Sequence, residues 1–215
     1  MSRSALIMWG GWDGHTPKET AEILGEGLRK QGMDVRIEPS LQPLEAVEEV
    51  KKLHLIVPIW TMGSMSNEQW NGLHQAVHEA GVGIGGVHGG MGDAFRGRVE
   101  YYWLVGGQFL GHPHVGDYTV EVKNSRHPIM KGLPKSFTYS SEQYYMGVDP
   151  GIKVLATTKY QFEGRTVTMP VVWVKTWGKG RVFYSSLGHR YEEFQKYPHV
   201  LEMTIRGLMW AAREE

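Results

Sequence analysis

The chain predicts an α/β fold: a sheet of mostly parallel strands with helices on both faces. Three observations carry this. Apolar strands and amphipathic helices alternate at a regular pitch from residue 5 to residue 87. An apolar, glycine-rich run, Val82-Gly83-Ile84-Gly85-Gly86-Val87, reads as a buried strand and ends at His88. The 215 residues, 41% of them hydrophobic, suffice for one well-buried domain spanning 1–215.

Residues 5–9 form a short apolar strand, followed by the loop Gly10-Gly11-Trp12-Asp13-Gly14-His15. Thr16 is placed as a helix N-cap, with Pro17 at the first helical position and Glu19 at capping-box spacing. Ala21, Ile23, Leu24 and Leu28 share one face of that helix, which stops near Gly32. A second strand covers 33–38, a short helix 43–50 and a third strand 53–60. Ser66 caps a helix over 67–80 that turns Trp70, Leu73 and Val77 inward, and the fourth strand covers 82–87. The pattern then changes. A short helix covers 99–105, and strands are expected at 116–122, 137–140 and 154–157. Residues 140–145 read as a polar insert between strands. Runs at 170–177 and 181–186, joined by Gly178-Lys179-Gly180, make a hairpin, and an amphipathic helix closes the chain over 198–213.

Composition removes several classes of function. Lys plus Arg and Asp plus Glu both number 23, so no net field draws nucleic acid or an anionic membrane. No apolar run is long enough to span a bilayer, and the first strand leaves no room for a leader peptide. The chain has no cysteine, which excludes disulfides and thiolate catalysis and fits a cytoplasmic location.

The chemistry therefore falls to histidines. In α/β enzymes a Gly-x-nucleophile-x-Gly turn at a strand end lifts one side chain above the sheet. In Gly86-Val87-His88-Gly89-Gly90 that residue is His88, where hydrolases carry Ser and amidotransferases Cys. Ligands of open parallel sheets bind beyond the carboxyl ends of the strands. His15 follows the first strand, His88 the fourth and His189 the late hairpin strand, so all three are expected at one edge. Three imidazoles with a carboxylate suit a divalent metal, zinc foremost. Glu142 is the preferred carboxylate, ahead of Asp13 and Asp93. Of the remaining histidines, His112 is expected at the cleft and His114 less so. His127 reads as loop punctuation, and His54, His74, His78 and His199 as surface or packing residues. Trp9, Trp12, Trp60 and Tyr144 offer flat faces near strand ends, a usual way to hold a sugar ring, whereas Trp70 and Trp210 read as core. The pairs Gly10-Gly11 and Gly89-Gly90 match neither the phosphate-loop nor the dinucleotide pattern. Tyr101, Tyr102 and Trp103 are candidates for an intermolecular contact in a homodimer.

In its ordered motifs the chain resembles the ThuA-like (trehalose-utilisation) family along nearly its whole length. The motifs are Trp-Gly-Gly-Trp-Asp-Gly-His at 9–15, Gly-Val-His-Gly-Gly at 86–90, Val-Gly-Gly-Gln-Phe-Leu-Gly-His-Pro at 105–113 and His-Pro-Ile at 127–129. Ser-Glu-Gln-Tyr at 141–144, Pro-Val-Val-Trp at 170–173, Gly-Lys-Gly-Arg-Val-Phe-Tyr at 178–184 and Leu-Gly-His at 187–189 complete the set. The resemblance implies a three-layer sandwich similar to class I glutamine amidotransferases (flavodoxin-like), with His88 at the nucleophile elbow and His189 after a late strand. It implies a role in using trehalose and related disaccharides through keto-sugar intermediates. The family often has Asp before the Glu of its Glu-x-Tyr motif. Ser141 stands there in this chain, leaving Glu142 without a carboxylate neighbour.

The resulting expectation is a metal-dependent carbohydrate hydrolase, lyase or isomerase, and not a glutamine amidotransferase. His88, Glu142 and His189 are the expected catalytic residues, with His15 joining them as a metal ligand. Trp12, Asp13, His112 and Tyr144 are expected to bind the sugar. The alternatives are a non-catalytic carbohydrate-binding or regulatory domain, and a metal-free acid–base enzyme using His88 and His189.

Overall fold

The computed structural model describes residues 3–214. In chain order the first half comprises β1 (Ser4–Gly11), α1 (Pro17–Lys30), β2 (Asp34–Glu38), α2 (Val47–Val50), β3 (Leu55–Thr61), α3 (Asn67–His74) and β4 (Gly83–Val87). The second half comprises α4 (His88–Gly92), α5 (Val99–Val105), β5 (Gly107–Val122), β6 (Ser136–Val148), β7 (Lys153–Phe162), β8 (Arg165–Trp177), β9 (Gly180–Ser185), α6 (Tyr191–Lys196) and α7 (Pro198–Ala211).

All nine strands join one sheet in the order β2-β1-β3-β4-β9-β8-β7-β5-β6. Alternation along β1 shows why both faces are covered. Ala5 and Ile7 pack into a core with Leu24 and Leu28 of α1 and Met203 and Leu208 of α7, while Leu6 and Met8 pack into a second core with Leu73 of α3 and Tyr101 and Leu104 of α5. The three layers are as expected.

The sheet is mixed rather than mostly parallel. β2, β1, β3, β4 and β9 pair in parallel, whereas β9–β8, β8–β7, β7–β5 and β5–β6 pair antiparallel. Links of two residues, 163–164 and 178–179, make β7–β8 and β8–β9 hairpins, because a parallel crossover needs a dozen or more residues. Residues 140–145 are likewise not an insert but the middle of β6, paired with β5 through Ser140↔Asp117, Ser141↔Gly116 and Glu142↔Val115.

Thr16 also departs from expectation. It adopts a left-handed φ of 45° and its side chain caps nothing in α1; its hydroxyl instead accepts a hydrogen bond from the Tyr191 N–H at 3.0 Å. Ser66, by contrast, forms the full capping box with Gln69. No helix among the described residues is long and apolar enough to cross a membrane.

Candidate functional site

Each functional imidazole is set by what its strand does at its end. Past β1, a single 3-10 turn (Asp13–His15) carries His15 back over the sheet, where it is buried and its Nδ1 hydrogen-bonds Thr61 Oγ1 at 2.7 Å. Gly11 makes this possible. Its φ is +79°, and a Cβ there would strike the carbonyl oxygen of Thr61.

At the end of β4, His88 takes a φ of 45°. A non-glycine residue in that region costs roughly 1–3 kcal/mol, which the surrounding packing must offset. Gly86 lets Met91 close on the strand and Gly90 lets Ile59 approach. His88 Nδ1 donates to the Ser186 carbonyl at 2.8 Å, so in the neutral ring Nε2 carries the lone pair. The hydroxyl of Tyr184 donates to the His88 carbonyl at 2.9 Å, and the Tyr144 ring stacks on the imidazole at 3.9 Å.

His189 arrives past β9. Its backbone N–H donates to Glu193 Oε2 at 3.0 Å, and the same carboxylate accepts from Tyr139 at 2.5 Å and from Ser141 Oγ at 2.6 Å. Glu193 thus ties the His189 loop to β6 at the residue next to Glu142.

The four groups meet. His88 Nε2 and His189 Nδ1 each lie 3.2 Å from Glu142 Oε2, and 3.2 Å from one another. The His15 ring stands edge-on to those of His88 and His189, at 4.9 and 4.8 Å. One ligand atom from each of His15, His88, Glu142 and His189 falls within 4.8 Å of all the others, the one such group among the described residues. Donors at 2.0–2.1 Å around a tetrahedral zinc stand roughly 3.3 Å apart, so the 3.2 Å triangle has the spacing of a donor set for such an ion.

Electrostatics point the same way. Burial, with His88 and His189 nearby, lowers the His15 pKa to about 3. Burial also lowers that of His88, against the hydrogen bond with Glu142. Partial burial pushes the Glu142 carboxyl up, but hydrogen bonding from His189, and from His88 whenever its ring is protonated, outweighs it and holds the acid well below the usual carboxylate range. At neutral pH the site therefore holds two neutral imidazoles beside an anionic carboxylate.

The other expected site residues divide. His112 Nε2 lies 3.6 Å from Glu142 Oε1 at the rim, beside Phe109. Tyr144 is in place but 3% exposed, so its ring serves His88 and Phe109 more than open solvent. Trp12 meets His15 edge-on at 4.8 Å and is 48% exposed at the mouth. Asp13 is exposed, and its carbonyl rather than its carboxylate is engaged, by the Thr16 N–H. Asp93 is buried in a bidentate pair with Arg96, and His114 is exposed and turned to the Asp117 carbonyl. His127 caps the turn at Pro128. Trp60 packs over Gly10 and Gly63, and Gly89 admits His15, so the paired glycines here serve close packing. Sequence reasoning misses Thr61, Ser186 and Glu193. The first two stand at or just past strand ends, so the rule that finds the histidines also reaches them.

A family model described as ThuA, trehalose utilisation, matches residues 4–211. No curated protein matches the chain. Among solved structures, the chain is similar to a ThuA-like protein from Bacteroides uniformis (TM-score 0.78, 21% identity, 97% of this chain and 91% of that one). A ThuA-like protein from Parabacteroides merdae aligns with a TM-score of 0.77 at 17% identity, over 100% of this chain and 93% of that one. A cytoplasmic protein from Salmonella typhimurium aligns at 0.66 and 15% identity, over 99% of this chain and 100% of that one. At these identities the likenesses concern the fold.

Proposed function

The chain belongs to the ThuA family, trehalose utilisation, and from that premise we propose that it is a sugar-processing enzyme. Its substrate is a glycoside or keto-glycoside, transformed by hydrolysis, elimination or isomerisation, with a divalent metal held by His15, His88, Glu142 and His189. The observation that supports this is the convergence of those four donors within 4.8 Å, at the strand ends where α/β folds bind ligands. When bound, such an ion, zinc by its nitrogen-rich donor set, polarises a carbonyl or hydroxyl or lowers the pKa of a water.

The chain's own groups do the rest. His88, fixed by Ser186 through Nδ1, presents a basic Nε2 that stays neutral at working pH. Glu142, ionised, accepts a proton from a substrate hydroxyl or acidic C–H and returns it to the leaving oxygen or an adjacent carbon. The exposed indole of Trp12 stacks on a C–H face of the sugar, and His112 and Asp13 hydrogen-bond its hydroxyls at the mouth. Tyr144 holds the His88 ring against rotation. The partner is a small sugar rather than nucleic acid, and a cysteine-free chain fits a cytoplasmic location.

The test is turnover of trehalose and of its oxidised, keto derivative by tag-free protein before and after chelation. Loss of product on chelation, restored by zinc and absent in His88→Ala, is expected. Turnover that survives chelation would replace the reading with metal-free acid–base catalysis by His88 and His189. Sugar binding without turnover of either compound would leave a carbohydrate-binding domain.

A further inference from the structure

A cavity of about 680 Å³ opens at the other end of the parallel strands from the histidine cluster. Trp70 of α3, Trp103 of α5 and Trp177 of β8 wall it, with Glu100, Asp149 and Lys175 supplying charge. Trp177 pairs with Gly180 where β9 begins, whereas His88 follows Val87, which pairs with Ser185 where β9 ends. The 6 residues of β9 therefore separate the two sites, roughly 17–20 Å at about 3.3 Å per residue.

Ring geometry limits what fits. Trp103 meets Trp177 edge-on at 5.2 Å and 69°, and His78 meets it at 5.4 Å and 70°. These walls make corners, not the parallel slot that sandwiches a planar heterocycle. A chair-shaped pyranose suits a corner, with its C–H face on one indole and its equatorial hydroxyls turned to the other wall. A free cation is poorly served, because Lys175 Nζ already lies 5.9 Å from the Trp177 ring centre, held by Asp149 Oδ2 at 2.7 Å and the Trp103 carbonyl at 2.6 Å.

Hydrogen-bonding capacity remains open. Glu100 is exposed. Trp177 and His74 line the cavity, and the indole N–H of one and Nδ1 of the other are closed off from solvent without a hydrogen-bond partner among the described residues, so a ligand reaches them only if these rings turn. Trp103 is 62% exposed, a large apolar surface beside a polar rim, which is how binding sites commonly look.

We infer that this cavity is a second carbohydrate site, which takes a pyranose unit by stacking on Trp103 and Trp177 and hydrogen bonding to Glu100, Asp149 and Lys175. It requires no chemistry at the histidine cluster and shares with the proposed function only the class of ligand.

The test titrates methyl α-D-glucopyranoside and trehalose into His88→Ala protein and into the same protein carrying Trp103→Ala or Glu100→Gln. Trp103 and Glu100 are exposed, so both variants are expected to fold. His88→Ala alone should bind sugar, with Trp103→Ala weakening it by about five- to tenfold and Glu100→Gln by less, as loss of one aromatic contact implies. Absence of binding to His88→Ala, or binding indifferent to Trp103, would overturn the inference. So would sedimentation of a dimer that Trp103→Ala disperses, which would assign this face to a second copy of the chain. Turnover of the oxidised disaccharide by the unaltered chain is a separate readout. Trp103-dependent binding without turnover would sink the reading at the histidine cluster alone, and turnover without such binding would sink this one alone.

Discussion

β1, β4 and β9 deliver His15, His88 and His189 from just beyond their C-terminal ends, whereas β6 delivers Glu142 from its middle, at the far edge of the sheet. The first three positions follow from the topology of any parallel sheet. The fourth depends on the β5–β6 ribbon, whose register shifts between Phe109 and His114, opposite the segment that carries Tyr145 and Gln143. Tyr144 on His88, and Phe109 on Tyr144, show this ribbon packed against the parallel half at the site. The parallel half sets basic groups in place by backbone rules, and the ribbon adds the one acid by long-range pairing.

The largest effect should come from the ribbon's contribution. Glu142→Gln keeps the shape and removes the charge, and kcat on the oxidised disaccharide should fall about 10²–10⁴-fold, the usual span for a proton-transferring group. Single-turnover kinetics would check this. Equal activity in the variant would reduce the ribbon to a lid.

This contrast also explains how much of the site is legible in the sequence. The meeting of His15, His88 and His189 is readable because strand ends in a parallel sheet share an edge. Glu142 stands out by residue type, yet its segment reads as an insert, because Ser, Glu and Gln have low intrinsic strand preference and β6 exists through its pairing with β5. Thr16 passes for a cap because nothing local reveals a hydrogen bond to Tyr191 across 175 positions. Glu193 is invisible for the same reason: its partners Tyr139, Ser141 and the backbone of His189 are brought together by the fold alone.

On the parallel side, Thr61→Val removes the hydroxyl that hydrogen-bonds His15 Nδ1 and nearly preserves side-chain volume. Zinc affinity, measured by competition with a chelating dye, should fall about 10–100-fold, as when other ligating histidines lose the partner that orients them. A variant with unchanged affinity would show that His15 stands outside the donor set.

Gly89→Ala tests the packing between the halves. Its Cβ would come within 2.6 Å of His15 Nδ1 and 3.0 Å of the Tyr144 hydroxyl, and overpacking of this kind costs about 1–3 kcal/mol. Urea unfolding should show that loss together with weaker zinc binding. Full stability would mean that the ribbon yields freely.

A further effect concerns acid. An unfolded His15 takes up its proton near 6.5, whereas in the folded chain it stays neutral to about 3, so acid favours unfolding across that window. Glu142 acts in the same direction lower down, because its depressed folded pKa gives a contribution present above 4.5 and lost as pH falls below it. Thermal unfolding of chelator-treated protein should show stability declining progressively below pH 6.5. In His15→Ala the upper part of that decline should be shallower; an identical slope would contradict the burial argument.

The most direct test is calorimetric titration of zinc into tag-free, chelator-stripped protein, alongside His88→Ala and Glu142→Ala. The four-donor site predicts one ion per chain and loss of the event in both variants. Zinc that fails to bind the unaltered chain, or binds both variants equally well, would contradict it.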